Sequence, residues 1–61
     1  MSESQRTQAE RILDWADDML EQGHDSIWTH DNALYRLRNL GLNDWDFRHY
    51  RGRLEKVTGV K

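Results

Sequence analysis

Apolar residues recur every three or four positions along most of this chain, the spacing that lines one face of a helix. Ala9, Ile12, Leu13, Ala16, Met19 and Leu20 form the first such stripe and predict a helix over about 8–22. Thr7 and Glu10 have the spacing of a capping box, in which each side chain satisfies a free backbone N–H of the first turn. Gly23 follows the stripe and supplies the left-handed residue that ends a helix.

A second stripe, Ala33, Leu34, Leu37 and Leu40, predicts a helix over about 30–40 with Thr29 as its N-cap. Trp28 and Ala33 then hold the two positions of a hydrophobic staple. Gly41 stops this helix, and Leu42 can fold back on Leu37. A third stripe, Phe47, Tyr50, Leu54 and Val57, predicts a helix over about 44–57. Asn43 is its N-cap, Asp46 completes a weaker capping box, Leu42 and Phe47 take the staple positions, and Gly59 ends it. The expectation is an all-α, compact three-helix bundle with a tight turn between helices two and three. Residues 23–29 are expected to form a longer polar connection. A single domain over 7–61 follows a mobile segment, 1–6.

Length limits what such a bundle can do. A chain of 61 residues buries only about 60% of its unfolded surface, so its interior has little room for a cleft. Cysteine is absent, which removes disulfides and thiolate metal sites. His24, His30 and His49 lack the spacing of a helical zinc pair, and no metal or other cofactor is expected. Ser26 or Thr29 near His24 and His30 is the nearest approach to a nucleophile–base pair, on a stretch with no oxyanion device. A non-enzymatic protein is expected. No apolar run approaches a membrane span and the first residues lack a signal-peptide core, so no membrane partner and a cytoplasmic location are expected.

Charge changes the picture more. The chain carries a net −2, but residues 1–33 hold two arginines against eight acids and residues 34–61 seven basic residues against three acids. Glu10, Asp14, Asp17, Asp18 and Glu21 fall opposite the apolar face of helix one, in one stripe about 16 Å long. Like charges three or four residues apart repel, and the last three lie where the helix dipole disfavours anions. The stripe reads either as a solubilising face or as a docking face for another protein with a basic surface.

Helix three is the basic counterpart. Arg48 and Arg51 point outward, Arg53 flanks the core, Lys56 shares a side with Trp45 and His49, and Arg36 and Arg38 extend the patch. Trp45 lies about 140° from Tyr50 on the helical wheel, so it is off the core stripe. It either turns back onto helix two or the 23–29 connection, or stands exposed with His49 and Gly52 as a binding ridge. Trp15 is expected at the core edge.

The tract from Ala33 to Tyr50 resembles a generic helix-turn-helix at its turn, through Leu40, Gly41, Leu42, Phe47 and Tyr50. It departs from that pattern at Arg36 and Leu37. That resemblance implies a small DNA-binding regulator using Arg48, Arg51, Arg53 and Lys56. Asp44 and Asp46 would stand where such a helix approaches phosphates, which makes nucleic acid the less favoured partner. The first expectation is therefore a protein-binding module or inhibitor. By analogy with phage-type or bacterial inhibitors, it would block a nucleic-acid-handling protein. A homodimer, pairing the acidic and basic faces of two copies, is the third possibility.

Overall fold

The three helices end within one residue of where the stripes predict, but the first two begin earlier. In a computed structural model that describes residues 4–61, α1 spans Gln5–Glu21, α2 Ser26–Asn39 and α3 Asp44–Thr58. Every pair of helices packs together, and no strand occurs among the described residues. The all-α three-helix architecture is thus the one the apolar stripes predict.

The α1 cap is Ser4, whose Oγ accepts from the Thr7 backbone N–H at 3.1 Å. The Thr7–Glu10 capping box is therefore corrected: Thr7 is the third helical residue, and Glu10 turns to α3 instead. The expected mobile segment, 1–6, is corrected at residues 4–6. Residues 1–3 lie outside the described residues, but Ser4 is the cap and Gln5 and Arg6 are helical. Gln5 Nε2 donates to the Leu40 carbonyl at 2.8 Å, tying the start of α1 to the end of α2.

The largest correction concerns α2. Its N-cap is Asp25, which accepts from the Trp28 N–H at 2.9 Å, not Thr29. The helix begins one turn earlier than predicted, the connection contracts, and the Trp28–Ala33 staple is lost. Thr29 becomes a fully buried helical residue whose hydroxyl donates to the Asp25 carbonyl at 2.8 Å. His30 is buried beside it.

The ends follow the glycines. Gly23 adopts φ 92°, donating its N–H to the Leu20 carbonyl while His24 donates to Met19, the paired bonds of a Schellman motif. Gly41 adopts φ 73°, a conformation that a side chain makes costly, and turns the chain directly into α3. Asn43 caps α3 as predicted, accepting from the Asp46 N–H at 2.8 Å.

Ala9, Ile12, Leu13, Ala16, Ala33, Leu37, Tyr50 and Leu54 form the core. Three alanines with no exposed surface let the helices approach closely. Trp15, Leu34, Leu40, Leu42 and Phe47 pack around its margin. One predicted inward residue is replaced. Val57 is 37% exposed, while Thr58 is 8% exposed and lies one full turn beyond Leu54. The Thr58 hydroxyl donates to the Leu54 carbonyl at 2.9 Å, which lets a polar side chain close the core.

Candidate protein-binding surfaces

Three surfaces carry the side chains that folding leaves over. The first is the acidic face of α1. Glu10 leaves it, because its carboxylate takes a hydrogen bond and ion pair from the Arg53 guanidinium across the α1–α3 seam. That hydrogen bond holds the Glu10 carboxyl below its ordinary value; partial desolvation opposes it, and the charges of Arg53 and His49 add to it. Asp14, Asp17, Asp18 and Glu21 remain exposed, with no ion pair to any described residue. Asp18 accepts from Gln22 Nε2, at 3.1 Å.

Beside Asp18 runs a second surface that the sequence reading missed. The Arg36 guanidinium lies 4.2 Å from the Trp15 ring centre, Trp15 meets Trp28 at 6.1 Å, and Trp28 stacks on His24 at 5.3 Å. Four side chains from α1, α2 and the turn between them form one ladder, with Trp28 46% exposed. The early start of α2 produces it. Once Asp25 is the cap, Trp28 stands in the first turn and faces back to the end of α1. His24 and Trp28, four residues apart across a cap residue, were the available signal. The ladder also corrects the basic patch: Arg36 belongs to the α1–α2 side, not to an extension of α3.

The third surface is the outer face of α3. Trp45 is 74% exposed, so the reading in which it turns back onto α2 does not hold. Its ring stacks on His49, with centroids 5.9 Å apart and planes within 4°. His49 in turn meets Tyr50 edge-on at 5.2 Å. Gly52 and Lys56 share this face and line a shallow depression with Glu55, Gly59 and Lys61. A Cβ built on Gly52 would meet no atom within 4 Å, so nothing in the fold itself uses the missing side chain.

The arginines of α3 are less available than their number suggests. Arg48 pairs with Asp44 at 3.5 Å, Arg51 lies 5.9 Å from the Phe47 ring centre, and Arg53 is held by Glu10. Lys56 has no partner among the described residues.

The histidines do not converge. Buried His30 sets Nδ1 3.3 Å from an Asp31 oxygen, and its Nε2 has no hydrogen-bond partner among the described residues. Among the described residues, no group of three His, Cys, Asp or Glu side chains is placed to hold a metal ion. No helix among them is long and apolar enough to cross a membrane. Compared with protein-family models, curated proteins and solved structures, the chain matches none.

Proposed function

We propose that this chain is a non-enzymatic protein-binding module whose acidic α1 face docks on a basic surface of another protein. One observation carries the reading: four carboxylates stand exposed along one helix face, with no ion pair to a described residue, against an aromatic ladder. Asp14/Asp17, Asp14/Asp18, Asp17/Glu21 and Asp18/Glu21 are all repelling neighbours at helical spacing. At 0.2–0.5 kcal/mol each, these pairs cost roughly 1–2 kcal/mol. A domain of this size has a total stability of roughly 3–9 kcal/mol, so the stripe removes a substantial share. A basic partner would turn that repulsion into attraction, and Trp15 and Trp28 supply the aromatic contacts common in binding hot spots. Occupying a surface that normally holds nucleic acid would make the module an inhibitor.

The helix-turn-helix reading has less support. Its N-terminal turn carries Asp44 and Asp46, and two of its four cations, Arg48 and Arg53, already pair within the fold.

The test is the triple reversal Asp14→Lys, Asp17→Lys and Asp18→Lys, compared with wild type in affinity capture from host extract and by thermal unfolding. The variant should fold at least as stably as wild type, because Glu21 then faces opposite charges at positions 17 and 18 while the 14/17 and 14/18 repulsions stay as they were, and should lose a salt-sensitive partner. A partner retained by the variant, or no partner for the wild type, overturns the reading.

A further inference from the structure

The outer face of α3 is self-complementary, and we infer that its occupant is a second copy of this chain, bound antiparallel with Trp45 of each copy seated on Gly52 of the other. This rests on reading that face as a binding face, and not on the role given to the α1 stripe.

The register follows from helix geometry. Trp45 and Gly52 are seven residues apart, hence about 10.5 Å along the axis and within about 20° of the same direction. A two-fold axis passing between Arg48 and His49 therefore sets Trp45 opposite Gly52 twice over. Trp45 is the largest exposed side chain on this face, and Gly52 opens a place where no atom lies within 4 Å of the missing Cβ. The depression around Gly52 continues along Glu55 and Lys56, giving an indole room to lie flat. One feature supplies the knob and the other the hole. Within a single copy Trp45 stays exposed, its ring stacked on His49, and the space over Gly52 stays open.

Charge selects the antiparallel direction. The first turn of α3 carries Asp44 and Asp46, while its second half carries Arg51, Arg53 and Lys56 against the single acid Glu55. Antiparallel pairing brings the acidic end of one helix to the basic end of the other and opposes their dipoles. Asp44 of one copy falls within about 3 Å, along the axis, of Arg51 of the other, on the same flank. Parallel pairing would place like ends together. The unfavourable contact is Arg48 against its own mate near the axis, and the Asp44 carboxylate on each Arg48 reduces that repulsion.

Symmetry separates this arrangement from the pairing of acidic α1 with basic α3. That contact joins patches on two different helices, and unless both engage about one two-fold axis, repetition gives a ring or an open chain of copies rather than a closed dimer. The α3 pairing closes, and it leaves both acidic stripes available. A single helix face buries less than the 1,000 Å² or so expected of a permanent interface. The dimer should therefore be weak, with a dissociation constant on the order of 100 µM.

Sedimentation equilibrium from about 10 µM to about 1 mM tests the inference. Wild type should pass from monomer to dimer across that range. Trp45→Ala should remain monomeric. Gly52→Gln should also remain monomeric while unfolding at a higher temperature than wild type, because glutamine is the better helix former; a merely damaged fold could not give that combination. The natural chain has no cysteine, so single cysteines report the geometry. Arg48→Cys should form a disulfide dimer under mild oxidation, since its mates meet near the axis. Lys56→Cys should not, because its mates stand roughly 22 Å apart. Monomer throughout, a dimer unaffected by Gly52→Gln, or equal cross-linking at both positions would each overturn the inference. So would a Trp45→Ala variant that loses a different protein partner while wild type stays monomeric. The Asp14, Asp17 and Asp18 reversal should dimerise normally, so the two proposals can fail separately.

Discussion

Replacing Gly52 by alanine should stabilise this protein, and the size of the gain can be worked out in advance. Gly52 lies inside α3, and it is not among the glycines with positive φ. Alanine can therefore adopt its conformation without strain. A Cβ there meets nothing within 4 Å, so no overpacking term opposes the change. What remains is the helix-interior difference between glycine and alanine, about 0.8–1.0 kcal/mol in favour of alanine. In a domain of roughly 60 residues that raises the melting temperature by about 4–8 °C. The measurement is far-UV circular dichroism against temperature, with urea unfolding followed by tryptophan fluorescence, at about 10 µM protein where self-association is negligible. Gly41→Ala is the matched control. Its φ of 73° lies where alanine is strained, so the same substitution should destabilise there, by more than the gain at Gly52. A Gly52→Ala variant no more stable than wild type would refute the reasoning, since the site would then be non-helical or its open space already filled.

The remaining predictions concern the caps and the one cross-seam ion pair. Asp25→Ala should cost about 1 kcal/mol by removing the α2 cap, with most of the loss recovered by Asp25→Asn, measured by urea midpoints; an unaltered midpoint would return the cap to Thr29. Glu10 has a folded-state pKa lowered by the Arg53 hydrogen bond, so its contribution is present above its unfolded value of 4.5 and is lost as pH falls through the lowered folded value. Wild type should therefore lose stability more steeply than Glu10→Gln over the acid range below 4.5, and parallel pH profiles for the two would show that the pair adds nothing.

Helix ends were legible because only glycine takes a left-handed conformation cheaply, and Gly23, Gly41 and Gly59 all do so. Helix starts were not, because the chain is rich in residues able to cap. Ser4 and Thr7 compete at α1, and their hydroxyls lie 2.8 Å apart. Asp25 and Thr29 compete at α2, each followed by residues a first turn accepts. Local chemistry does not decide between two such caps. What decides is tertiary: the earlier α2 start buries Thr29 and His30 and brings Trp28 onto Trp15. At α3 Asn43 is the first capping residue after the glycine turn, and there the predicted start is the observed one.

The outward direction of Trp45, His49, Gly52 and Lys56 could be read from the helical wheel, because direction about an axis depends only on residue number. Pairing across a seam cannot be read that way. Whether Arg53 reaches Glu10, or Arg36 reaches Trp15, depends on how far each helix slides and rotates against its neighbour. That difference bears on function. The sequence counts a basic α3 with four outward or flanking cations and two more from α2. In the folded chain Arg53 holds Glu10, Arg48 holds Asp44 and Arg36 covers Trp15. A phosphate backbone would have to displace those contacts, and it would meet Asp44 and Asp46 at the start of the helix. Non-specific affinity for nucleic acid grows with the number of phosphates neutralised. With Arg36, Arg48 and Arg53 engaged, half of the six cations are held within the fold, and the face offers fewer of them. The same engagement does not weaken a protein contact, where Arg48 can keep Asp44 and still pack its stem against an apolar partner. The internal partners of the arginines therefore support the proposed protein partner over nucleic acid, in the same direction as Asp44 and Asp46.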